Sequence, residues 1–581
     1  MINNLQHSLQ ATYSMKKYRL TVLSGAILCT LAACNQPNMG NLKDNDKGNE
    51  KAQRIELLEQ QQMAIGDAAE YQAAKSQADQ LSDTAIVSSS VLSKAIEPPT
   101  KNLQAGITEN NSEHYLISLS NPVKQVESEP LSTFSIDVDS GSYSNMRRFI
   151  NHGQLPPTDA VREEAFINYF NYHYSAPTEI DSPFKLQTEV AIAPWNNQRQ
   201  LLKIGIKGFE VAKADLKSAN LVFLLDVSGS MNAADKLPLL KTSLSMLTKQ
   251  LDEHDSVAIV VYAGAAGVVL PATAGNDQQT ITNALKKLAA GGSTNGAQGI
   301  ELAYQIAQKN YKEGGVNRVI LATDGDFNVG TQSIDKLKEM IAKKRESGIA
   351  LTTLGFGQGN YNDALMEQLA QIGNGQHAYI DNINEARKVL VDEISSSMQI
   401  IAKDVKIQVE FNPQQVAEYR LIGYQNRLLA SEDFNNDKVD AAELGAGHTV
   451  TALYEITLSN THNKYIDASR YQTDSLKGQS ENQLNNQELA FVKVRYKQPN
   501  SDLSQLITQA VMLDDQPTAV SDDFKFASAV AGFAQLLKGA KYTGQWQYQD
   551  LIKLAVESKG EDLFGYRAEF IQLVRTAEAL Q

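Results

Sequence analysis

Asp226, Ser228 and Ser230 stand at alternate positions in LVFLLDVSGSM (residues 221–231), directly behind five apolar residues. Farther along, Thr294 closes the tetrapeptide GGST, and Asp324 lies in TDG behind a second apolar run, RVILA. Two carboxylates and three hydroxyls are hard oxygen donors. They suit Mg²⁺ or Mn²⁺ rather than zinc, whose usual nitrogen and sulfur ligands are missing from these loops. Two carboxylates also neutralise one divalent ion. Because Mg²⁺ keeps several waters in a near-octahedral shell, a shallow site of small hydroxyls leaves one coordination position facing solvent. An acidic side chain of a protein ligand can fill it.

Such donors work together only if the fold brings them to one place. From Leu221 the chain alternates strand-like apolar runs (LVFLLD, SVAIVVYA, GVVLPA, RVILATD, IALTTLGFG, HAYI) with amphipathic helical stretches, ending in INEARKVLVDEISSSM. Near-continuous apolar strands spaced by amphipathic helices predict a doubly wound α/β domain whose mostly parallel sheet is covered on both faces. Ligands of such sheets sit at the carboxyl ends of the strands, where Asp226 and Asp324 fall.

The set Asp226-x-Ser228-x-Ser230, Thr294 and Asp324 resembles the metal-ion-dependent adhesion site of von Willebrand factor type A (VWA) domains. The resemblance implies that Ser228, Ser230 and Thr294 bind the ion directly or nearly so. Asp226 and Asp324 would ligate it directly or through water, and an acidic group of the ligand would complete the shell. Asp326 and Asn328, just beyond Asp324, read as ordinary loop residues.

Bulk properties narrow the alternatives. The chain has 581 residues, 42% hydrophobic and 21% charged, enough for several domains. Its 53 basic and 67 acidic residues leave a net charge of −14, with no concentrated basic block, which argues against a nucleic-acid partner. No Walker loop, G-x-S-x-G or H-E-x-x-H occurs, so neither a nucleotide nor a zinc-hydrolase mechanism is indicated. A metal-dependent hydrolase is disfavoured, because the motif loops hold no His or Glu to serve as general base.

The N-terminus reads as an export signal. From Met15, which offers a start site of its own, Lys16, Lys17 and Arg19 precede an apolar stretch, Leu20 to Leu31, too short to span a bilayer. Leu31-Ala32-Ala33-Cys34 resembles the lipobox of bacterial lipoproteins, which implies cleavage before Cys34 and acylation of its thiol. Asn35 is not the aspartate associated with inner-membrane retention, a lean towards the outer membrane of a bacterial cell envelope. The only other cysteine, Cys29, lies within the signal, so thiol catalysis is excluded.

The expected organisation is a signal (1–33), a lipidated polar tether (34–114), an N-terminal flanking domain (115–183), a β-rich segment (184–215), the VWA domain (216–400), a β-rich domain (401–500) and a helical C-terminal region (501–581). Strand-like runs on both sides of the α/β block predict that Phe184 to Phe209 joins the later strands in one β-sandwich-like domain hosting the VWA domain as an insertion. Within the tether, Arg54 to Leu81 has helix-forming composition. Two motifs read as decoys. FSIDVDSGSYS (134–144) has the wrong spacing and suggests a strand-to-helix turn capped by Asp139 or Ser140. Asp433, Asn435 and Asp437 begin like a calcium loop, but Lys438 and Leu444 occupy the positions that need glycine and glutamate.

The order of lipobox, tether, SxFSxDVDxxSYxxxRR-type region, VWA block and GEDxFGYRAEF-type segment resembles one family of bacterial VWA lipoproteins with dedicated flanking domains. The leading expectation is a non-enzymatic, lipid-anchored binding protein that captures an acidic group of a protein ligand. The alternative is a scaffold or regulatory subunit of an envelope complex whose assembly the metal site gates.

Overall fold

The computed structural model describes residues 113–179, 182–293, 296–325, 334–393, 398–467, 487–513 and 519–581. The export signal, Cys34, the tether and Arg54 to Leu81 lie outside them. Two short strands, β1 (Lys124–Gln125) and β2 (Leu131–Ser135), lead into α1 (Gly141–Asn151), α2 (Glu163–Ile167) and a long hairpin, β3 (Phe184–Ala193) with β4 (Asn196–Gly208). The central block runs β5 (Ala219–Asp226), α3 (Leu237–Thr248), β6 (Ser256–Tyr262), β7 (Ala266–Ala274), α4 (Gln278–Lys287), α5 (Gly296–Lys309), β8 (Val316–Thr323), α6 (Ile334–Arg345), β9 (Ala350–Phe356), α7 (Asp363–Ile372), β10 (His377–Ile380) and α8 (Ile383–Arg387). There follow β11 (Ile400–Phe411), β12 (Val416–Ile422), β13 (Leu444–Gly445), β14 (Thr449–Leu458), β15 (Glu488–Lys497) and β16 (Ser504–Met512). Three helices close the chain: α9 (Asp522–Leu537), α10 (Tyr548–Glu557) and α11 (Tyr566–Ala579).

The central sheet has the order β10-β9-β8-β5-β6-β7, parallel throughout except for the antiparallel edge strand β7. Period-two alternation sends Leu221, Phe223 and Leu225 of β5 into one core with Leu240 and Leu244 of α3, and Val222 and Leu224 into a second core with Ile300 and Tyr304 of α5. Because both faces are covered, every residue of β5 is buried, which is why it reads as an unbroken apolar run. Its carboxyl end, in the middle of the sheet, delivers Asp226.

The central α/β block is inserted between strands that pair with each other. β4 runs antiparallel to β14 (Leu202 opposite Tyr454), and the sheet β1-β12-β14-β4-β3 faces a second sheet built on β13-β11-β15-β16, with β2 added to β11. Leu202, Ile204 and Ile206 pack into the core between the sheets with Val409, Val492 and Val494. On the other face, Leu201 and Leu453 pack with Phe166 and Phe170 of the N-terminal segment and Phe526, Phe533 and Phe570 of the C-terminal helices. The N-terminal segment is therefore not a separate layer: β1 and β2 complete the two sheets, while α1 and α2 share a core with α9, α10 and α11.

Two local expectations are corrected. Residues 504–512 form a strand on β15 rather than part of a helical region. This edge strand buries only Val511, so its pattern carries little apolar alternation. α2 ends at Ile167, and the side chain of its C-cap residue Asn168 donates to Asp137 O and Tyr424 Oη while its oxygen accepts from Thr451 N. Ser140 occupies the N-cap position of α1, but no side chain caps that helix. Asp139 instead accepts from His377 N, and Asp137 and Asp139 both pair with Arg427. In the Asp433 loop, Asp437 is bound by Arg495 and Ser504.

Buried ion pairs tie the N-terminal segment to the edge of the central block: Arg162 reaches Asp363 and Glu367 of α7, and Arg147 reaches Asp381 and Glu385. Beside them, Glu164 accepts from Tyr424 N at 2.9 Å. Burial, reinforced by the charges of Asp137 and Glu163, pushes its carboxyl up to about 7 from an ordinary 4.5. A carboxyl raised in the folded state favours folding fully below about 4.5, and that contribution is lost as pH rises through about 7. Glu164→Gln keeps an acceptor for Tyr424 N but cannot ionise. Its stability relative to wild type is expected to rise across that window by roughly 1–3 kcal/mol, read as the difference in urea midpoints at the two ends.

Candidate functional site

β5 ends at Asp226 and β8 ends at Thr323, and as parallel neighbours they release Asp226 and Asp324 at the same edge of the sheet. Asp226 Oδ1 accepts from Ser228 N at 2.8 Å, turning the chain so that Ser228 and Ser230 project together, with Oγ atoms 3.0 Å apart. Asp226 Oδ2 accepts from Thr323 Oγ1 at 3.0 Å and from Tyr262 Oη at 3.3 Å. The GGST loop joins through its backbone: Gly291 N donates to Val227 O, and Gly229 N donates to Gly292 O. Thr294 itself lies outside the described residues, as do Asp326 and Asn328.

Asp226 and Asp324 are fully buried as residues and Ser228 nearly so, whereas Ser230 is exposed. Burial pushes the Asp226 carboxyl up and the charge of Asp324 adds to this, while hydrogen bonds from Ser228 and Thr323 pull it back. The site thus has carboxylates at its floor and a hydroxyl at its mouth. All the donors are oxygen, and the two acids can balance a divalent cation, so the residues present fit Mg²⁺ or Mn²⁺.

Three participants were missed in the sequence reading. Thr323 and Tyr262 support Asp226, and Lys236 Nζ donates to Asp324 Oδ2 at 2.8 Å. Thr323 stands beside a motif aspartate and was within reach. Lys236 was not: ten positions beyond Asp226, at the N-cap position of α3, it reaches the second aspartate only through the crossover of the fold. Among the described residues no group of three or more His, Cys, Asp or Glu side chains forms a metal site, so the candidate site would rely on two carboxylates and the hydroxyls beside them.

Comparison with known proteins agrees with this architecture. A family model described as von Willebrand factor type A domain matches residues 220–392, and one described as von Willebrand factor matches 109–203. A third, described as "Uncharacterized protein YfbK, C-terminal", matches residues 396–580. The YfbK protein of Escherichia coli (strain K12) is 47% identical over 466 residues, which cover 79% of this chain and 80% of that protein. The chain belongs to the YfbK family. Inter-alpha-trypsin inhibitor heavy chain H3 of Homo sapiens is also similar, 25% identical over 265 residues, 41% of this chain and 28% of that protein. Among solved structures, von Willebrand factor type A from Catenulispora acidiphila covers 70% of this chain and 91% of that one at 14% identity, with a TM-score of 0.39. In this YfbK-family chain, the VWA domain is a protein-interaction module carried on two flanking regions.

Proposed function

We propose that this YfbK-family protein is a membrane-anchored binding protein that captures an acidic group of a protein ligand through a divalent ion, Mg²⁺ or Mn²⁺, at the top of the VWA sheet. The observation that supports it best is the convergence of Asp226, Ser228, Ser230 and Asp324 at one sheet edge, where the Asp226–Ser230 loop also exchanges backbone hydrogen bonds with Gly291 and Gly292. Ser228, Ser230 and the two aspartates would hold the ion, with Thr294 joining them. Once bound, the ion would offer a Lewis-acidic position to a carboxylate. The protein's own contribution is to hold the donors in place: Thr323 and Tyr262 fix one oxygen of Asp226, and Ser228 N fixes the other. Acylated Cys34 and the polar tether would hold this head at the outer membrane. Among the described residues no group at the site is placed as a general base, which supports a non-catalytic reading.

The test is capture of partners from envelope extract with and without EDTA. Ser230→Ala removes an exposed hydroxyl and leaves the fold intact, while Asp226→Ala removes a buried ligand. Both are expected to lower capture to the EDTA level. If Asp226→Ala retains wild-type, EDTA-sensitive capture, this site is not the one that binds.

A further inference from the structure

Lys236 is the least expected residue at this site. Its ammonium lies 2.8 Å from Asp324 Oδ2, and both side chains are buried, at 9% and 0% exposure. The placement is built in from two other directions. Its backbone opens α3, with Leu240 N donating to Lys236 O. Its stem lies over Gly357, where φ is +72° and a Cβ would come within 2.2 Å of Lys236 Cε. Gly357 O in turn accepts from Tyr379 Oη, so the surface under the stem is fixed. A lysine held at three points does not swing freely away from a metal ligand.

We propose that Lys236 is a resident counter-cation that weakens the site's hold on a divalent ion alone and makes full occupancy depend on an anionic ligand. This rests on the metal-dependent reading of the site. The charge balance carries the argument. Asp226 and Asp324 cancel one divalent ion, and the ammonium of Lys236 then leaves the loaded site with one net positive charge. In a buried setting, like charges are poorly screened, so the ion and the ammonium oppose one another. A ligand carboxylate restores neutrality as well as filling a coordination position. Metal and acidic ligand therefore bind cooperatively, each raising the affinity for the other by the same factor.

The experiment is calorimetric titration of Mg²⁺, and separately Mn²⁺, into the full chain as wild type, Lys236→Arg, Lys236→Gln and Lys236→Met at matched ionic strength. Glutamine retains a donor for Asp324 without the charge, and arginine retains the charge. Affinity is expected to follow charge: the Gln and Met variants bind about tenfold tighter than wild type or more, and Arg stays close to wild type, as one nearby unit charge dictates. With acetate replacing chloride, wild-type Mg²⁺ affinity rises more than that of Lys236→Gln. Should Lys236→Met fold poorly, the Gln variant decides the outcome. Equal or weaker metal binding by folded Lys236→Gln overturns the proposal, as does an equal acetate response in the two proteins. Absence of heat from all four proteins with both metals is a different failure, that of the metal site itself.

Discussion

Arg147→Ala is expected to destabilise the chain by about 3–5 kcal/mol, the usual cost of removing one partner from a buried charge network. Arg147 is 1% exposed and sits on α1, yet its partners come from distant parts of the sequence. Nε and Nη2 donate to Asp381 beyond β10, Nη2 also to Glu385 of α8 at 2.7 Å, and Nη1 to Glu569 of α11 at 3.0 Å and to Tyr169 Oη at 2.8 Å. One guanidinium thus joins the N-terminal segment, the VWA edge and the last helix. Without it, Asp381 and Glu385 face each other in a buried space, where the repulsion of like charges adds to their desolvation. Arg147→Met combined with Asp381→Asn and Glu385→Gln is expected to recover much of the loss, because a neutral set no longer carries uncompensated charge. Urea unfolding followed by tryptophan fluorescence reads this directly. Both tryptophans, Trp195 and Trp546, lie in the layer that Arg147 anchors, with ring centroids 5.8 Å apart. An unchanged midpoint in Arg147→Ala would mean that water already shares the charge of the acids.

The same network marks where sequence reading stops. β5 and β8 were legible because strands covered on both faces must be apolar throughout, and the polar residues ending them were conspicuous for that reason. The hosting sandwich was legible from alternation in the β3–β4 hairpin and in β14, since each strand has one face against each core. Arg147, Arg162 and Arg427 gave no comparable signal. A buried arginine has no periodic signature, and its acids lie more than two hundred residues away in the chain. Lys236 was hidden likewise, since a single buried lysine has no periodic signature and its partner lies 88 positions along the chain. The edge strand β16 escaped because an exposed strand need not be hydrophobic on either face.

Gly325→Ala is expected to cost about 2–4 kcal/mol and, on the proposed metal-dependent reading of the site, to weaken Mg²⁺ binding at least about tenfold, combining left-handed strain with overpacking. Gly325 has φ +86°, and a Cβ there would sit 2.4 Å from Asn362 N and 2.9 Å from Tyr361 Cα. Both are backbone atoms, and their segment cannot retreat. Tyr361 O accepts from His114 N, Ala364 N donates to His114 O, Asn362 caps α7 through Leu365 N, and Asp363 is held by Arg162. The strain therefore falls on the Thr323–Gly325 turn. There Gly325 N donates to Thr323 Oγ1 and Thr323 Oγ1 donates to Asp226, so one displaced turn shifts Asp324 and loosens Asp226 together. Gly153→Ala is the control: φ is +74° but nothing lies within 4 Å, so only the conformational part, about 1 kcal/mol, is expected. If melting shows the two variants equally destabilised and Mg²⁺ titration finds metal binding intact in Gly325→Ala, the turn is not clamped against Asn362. The close packing of that turn would then have no part in holding the two aspartates at the sheet edge.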